Sequence, residues 1–175
     1  MKKIRYITIF CLIHLSGNFA FGQSATEPQH ETLETFREKL NYQYMNMPLE
    51  EKRFLIQYQT DTFRIESTYR RNSENCLNES GTTKCLEEKA EEYNTMVTKY
   101  YMMLNQMLDD EERVALKHSQ RTWLSYKTGE RDLLISINES DAAQNDDNLR
   151  REALIYLNIT QSRLELLKEY ILLQY

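Results

Sequence analysis

The residues with the most chemistry available to them are Cys76 and Cys85, the carboxylate run Asp109–Asp110–Glu111–Glu112, and the stretch LKHSQRTWLSYK at 116–127. Each has a reactive reading and a structural one. Two cysteines this close can ligate a metal or bond to each other. A zinc site needs four ligands, or three and a water, and no histidine lies near the pair. We therefore read them as one disulfide closing the loop CLNESGTTKC. In the chain-entropy model such a loop contributes roughly 2–3 kcal/mol. Neighbouring carboxylates can divide acid and base work, as in glycoside hydrolysis. At the first turn of a helix they instead complement its dipole, by about 0.3–1 kcal/mol each at an exposed end. That role accounts for the acidic run, and for Asp146–Asp147 as well. His118 falls off the face carrying Leu116, Gln120 and Trp123, so it makes a poor general base. There is no Gly-rich phosphate loop and no G-x-S-x-G elbow. The sequence predicts no catalytic residue, no metal, no cofactor and no enzyme activity.

The stretch at 116–127 places Leu116, Gln120, Trp123 and Lys127 on one helical stripe, at i, i+4, i+7 and i+11, with Leu124 beside them. A lone tryptophan on such a stripe anchors a core, and a glutamine next to it must have its amide satisfied. The expectation is a half-buried polar bridge between helices, and the alternative is a ligand-facing patch. Tyrosine is abundant, with twelve in the chain. Tyr93, Tyr100, Tyr101, Tyr126 and Tyr156 are expected to pack at the core edge with hydroxyls reaching the surface.

These residues must be positioned by helices. The chain has four glycines and two prolines, helix formers dominate, and no long stretch alternates apolar with polar. Five segments carry helical periodicity: Glu31 to Asn46, Pro48 to Arg71, Lys84 to Met107, Asp110 to Ile137, and Leu149 to Leu173. Pro48 suits a first turn. Asp109 and Glu112 are spaced as a capping box. The polar stretches 72–83 and 138–147 read as loops. The predicted architecture is all-α, a bundle of four to five antiparallel helices. A shift of 61 residues superposes Glu50, Glu51, Leu55 and Gln59 on Glu111, Glu112, Leu116 and Gln120, which suggests two degenerate helical hairpins.

Residues 1–22 have the form of an export signal. Lys2, Lys3 and Arg5 precede the apolar run ITIFCLIHL, and Ala20 and Gly22 are spaced for a cut before Gln23. The run is too short to span a bilayer, and Cys11 lies inside it, so lipidation is not expected. This leaves a single helical domain at 23–175, periplasmic or secreted and without a membrane span. Losing the three cations of the leader moves the formal net charge from −5 to −8. An acidic chain is a poor partner for nucleic acid and a better one for a cationic protein.

The motif Leu116-x3-Gln120-Arg121-x-Trp123-Leu124-x-Tyr126-Lys127 resembles the signature of the LprI-type lysozyme inhibitor family. Upstream, Tyr101, Leu104 and Leu108 fall at that family's tyrosine and leucine positions. Downstream, Thr160, Arg163 and Leu167 match its T-x2-R-x3-L helix. The likeness covers about 76–170. It departs from the pattern at Val97–Thr98 (Leu-Asn in the family), at Lys127–Thr128 (Arg-Asp), and at Glu130–Arg131, near which the family carries a cysteine. The family's disulfide pairing is therefore not carried over. The resemblance implies an exported, non-enzymatic helical domain whose signature is mainly structural and whose partner is a protein, a cationic lysozyme in the first instance. The alternative is an envelope interaction module with a different protein partner. The candidate contact surfaces are the constrained loop of Asn78, Glu79, Ser80, Gly81, Thr82, Thr83 and Lys84, and the acidic loop 138–147.

Overall fold

The computed structural model describes residues 31–72, 76, 79–140 and 146–175, with the backbone alone at 79, 80, 139, 140 and 146. Residues 1–22, predicted above as an export signal, His30, Asn78 and residues 141–145 of the predicted acidic loop lie outside the described residues. The described residues form an all-α bundle: α1 (Leu33–Gln43), α2 (Leu49–Arg71), α3 (Glu79–Met107), α4 (Asp110–Ser140) and α5 (Asp146–Leu172).

The punctuation follows local chemistry. Thr32 caps α1 by accepting from the Thr35 N–H at 3.2 Å. Pro48 is the N-cap of α2, so its missing N–H costs nothing there. Between α3 and α4 the capping box forms in both directions. The Glu112 N–H donates to Asp109 Oδ1 at 2.9 Å, and the Asp109 N–H donates to Glu112 Oε2 at 3.1 Å. Cys76 and Cys85 are bonded, with Cα atoms 6.0 Å apart. Helix α3 begins five residues earlier than its Ser-Gly-Thr-Thr composition predicts. The disulfide and the hydrogen bond from Thr82 Oγ1 to the Cys76 carbonyl tie this end down. Residues 79–84 are thus first turns of a helix and not a protruding loop. Thr83 is buried and Lys84 is exposed. The acidic stretch is likewise shorter than expected, because α4 runs on to Ser140 and α5 starts at Asp146.

Helix α3 is the centre of the bundle, and its most extensive interface is with α5. Tyr100, Leu104 and Val97 of α3 meet Leu164, Leu167 and Ile171 of α5 in a core where each is at most 1% exposed. Helix α2 closes another side. Phe54 and Tyr58 pack on the Tyr100 ring, with centroids 5.8 and 5.3 Å away, and α1 lies on α2.

The hydroxyls of Tyr93 and Tyr100 do not reach solvent as predicted. Tyr100 donates to Asp61 at 2.8 Å, Tyr93 to Glu66 at 2.7 Å, and Tyr58 to Glu165. Lys99 and Lys89 pair with the same Asp61 and Glu66. Tyr101 and Tyr156 are half-buried, while Tyr126 is exposed.

Burial and then the bonded carboxylate push the Tyr58, Tyr93 and Tyr100 phenols well above the ordinary tyrosine value. A raised folded value means that this stabilisation is complete below the unfolded value of about 10 and is lost as pH climbs above it. In an alkaline titration the last tyrosinate absorbance should appear together with loss of helical circular dichroism. Complete ionisation of every tyrosine in a fully helical protein would contradict this packing.

Candidate functional site

Helix α4 is held differently from the others. Its buried apolar residue is Leu116, and its main contact is with α5. Gln120 meets Arg163, Lys127 meets Tyr156, and Arg131 meets Glu152. The numbers rise on one helix as they fall on the other, so α4 and α5 are antiparallel.

At the level of Gln120 and Trp123 the two helices share a polar-aromatic seam. Arg163 is 4% exposed. Its Nε donates to Gln120 Oε1 at 3.0 Å and its Nη1 donates to Ser119 Oγ at 3.2 Å. Among the described residues no carboxylate lies within ion-pairing distance of it, and burial pushes the guanidinium below its ordinary value. A buried charge without a counter-ion is expensive. The Trp123 ring, 5.9 Å from the guanidinium carbon, supplies part of the compensation through its π face. Lys127 covers the same ring at 4.7 Å and the Tyr156 ring at 4.8 Å, and donates to Asn94 Oδ1 and Tyr156 Oη, each at 3.1 Å. This is the polar bridge expected from the Gln120–Trp123–Lys127 spacing, with Arg163 as its centre. Trp123 Nε1 and Arg163 Nη2 are buried in it without a hydrogen-bond partner among the described residues.

Beyond Lys127 an open groove of about 730 Å³ is lined by the C-terminal half of α4 together with α3 and α5. Leu134 and Ile135 form one wall, and Leu149, Ala153, Tyr156 and Ile159 form the other wall and floor. Glu87, Glu88 and Glu91 of α3, Glu130 of α4 and Glu152 of α5 stand around the rim, with Lys127 and Arg131 as the cations. Both cations are engaged: Lys127 in the seam, and Arg131 with Glu152 at 3.5 Å. Glu87, Glu91 and Glu130 have no ion-pair partner among the described residues. The acidic rim was not singled out from sequence, although the i, i+4 repeat of Glu87 and Glu91 on an exposed face was its signal.

The structure brings part of the motif together. Leu104, Leu108, Leu116, Thr160, Arg163 and Leu167 are buried, Tyr101 packs against the core, and Gln120, Trp123 and Lys127 are half-buried in the seam. Arg121 and Tyr126 point to solvent. The segment 79–84 lies at the disulfide end of α3. Among the described residues no cluster of three or more His, Cys, Asp or Glu side chains is placed to hold a metal, and no helix is long and apolar enough to cross a membrane.

Residues 73–167 match the family model described as lysozyme inhibitor LprI. No curated protein and no solved structure matches the chain.

Proposed function

The chain belongs to the lysozyme inhibitor LprI family, whose model matches more than half of its length, and on that premise we propose that it is an exported binding protein that inhibits a lysozyme by covering its substrate cleft. The family match carries this reading. Inhibition of this kind needs a complementary surface and no catalytic group of its own. Lysozymes of the common animal type are cationic, and an acidic inhibitor gains association rate against such a partner through steering. The chain is proposed to act outside the cytoplasm, after removal of residues 1–22, as a domain of residues 23–175 with a formal net charge of −8 against −5 for the full chain.

Steered association is salt-sensitive, because exposed charges are screened over about 10 Å at 0.1 M ionic strength. Sedimentation of the oxidised 23–175 protein with an animal-type lysozyme should show a complex at low ionic strength, with an association rate that falls steeply as salt rises. A complex with a different envelope protein, and none with any lysozyme class at low salt, would replace this reading with that of a general interaction module.

A further inference from the structure

We propose that the groove between α3, α4 and α5 is a docking surface for a cationic, amphipathic segment of a partner protein. The inference rests on the protein-binding reading above and adds the surface to it. Three observations define the occupant. The lining is apolar and accessible: Leu134 and Ile135 line one side and Leu149 and Ile159 the other, with Ile135 and Leu149 exposed. The rim is acidic, and its cations are already engaged by Asn94, Tyr156 and Glu152. That leaves Glu87, Glu91 and Glu130 to meet external positive charge. They also disfavour phosphates and other anions by like-charge repulsion. The groove is long. Leu149 to Ile159 along one wall is about 15 Å at 1.5 Å per residue, which suits several turns of a peptide chain inserting apolar side chains between basic ones. Burying apolar side chains in a groove while charges match at its rim is how amphipathic segments are recognised.

The test uses the oxidised 23–175 protein and two probes: a synthetic helical peptide of leucine and lysine with one apolar face, and an animal-type lysozyme. With the peptide, amide shifts should change at 87–91, 127–135 and 149–159. The combined Glu87→Lys, Glu91→Lys and Glu130→Lys variant should weaken peptide binding by about tenfold or more. The same change of charge at Glu34, Glu38 and Glu111, exposed carboxylates away from the groove, should leave it within about twofold. Ile135→Ser tests the apolar wall without reversing charge and should also weaken binding. Equal weakening by the two triple variants, absence of peptide binding, or shifts elsewhere on the protein would overturn the proposal. The lysozyme arm separates the two readings. Peptide bound in the groove with no lysozyme inhibited removes the inhibitor reading and leaves the groove. Lysozyme inhibited equally by wild type and by the groove variant, with no peptide bound, removes the groove and leaves the inhibitor.

Discussion

Trp123→Ala is expected to lower the unfolding free energy by about 2–4 kcal/mol, somewhat below the range for fully buried aromatic truncations because the residue is only partly buried. The loss has two parts. One is apolar area and contact against α5. The other is electrostatic: the ring lies against both Arg163 and Lys127, and removing it leaves a buried guanidinium with Gln120 and Ser119 as its partners. Trp123→Phe restores an aromatic face and should recover more than half of the loss. Chemical denaturation of the two variants measures both effects. Unchanged stability in Trp123→Ala, with partner binding abolished, would instead make this seam a contact surface.

Tyr100→Ala is expected to cost more, about 3–5 kcal/mol, as for other fully buried aromatic residues. Its ring is the one on which Phe54 and Tyr58 both pack, so the cavity would open between α2 and α3 at the centre of the core. Tyr100→Phe separates the hydroxyl from the ring. Asp61 would keep Lys99 as a partner, and the cost should fall to about 1 kcal/mol. A Phe variant as unstable as the Ala variant would mean that the Asp61 bond, and not the ring, dominates at this position.

These two residues mark where the structure was legible in the sequence and where it was not. Helical periodicity, Pro48 and the Asp109–Glu112 box were enough to place the elements, because each acts within one or two turns of chain. The cysteine pair could be joined because no histidine lies near it to complete a zinc site, and the two sulfurs are bonded in the structure. The Gln120–Trp123–Lys127 stripe was read correctly as a bridge. Its centre, Arg163, was matched only as a motif position, because an arginine is ordinarily exposed and its burial depends on acceptors 43 and 44 residues away. The Tyr93 and Tyr100 hydroxyls were misplaced for the same reason, since Glu66 and Asp61 lie on another helix. The start of α3 was set by the disulfide and the Thr82 bond against local composition. Of the groove, only the acidic rim had a local signal, in the spacing of Glu87 and Glu91. The lining of the groove comes from three helices, and the α4–α5 contacts beside it are polar ones through Arg163, Lys127 and Arg131, so no single stretch of sequence marks it.

The most direct measurement of the inhibitor reading is a titration of muramidase rate. A fixed amount of an animal-type lysozyme is assayed on bacterial cell walls at low ionic strength with rising amounts of the oxidised 23–175 protein. Tight covering of the cleft predicts a linear fall to near zero at about one molecule per lysozyme, with intact and active enzyme recovered when the complex is dissociated by salt. An undiminished rate in large molar excess, for animal-type and other lysozyme classes alike, would contradict it.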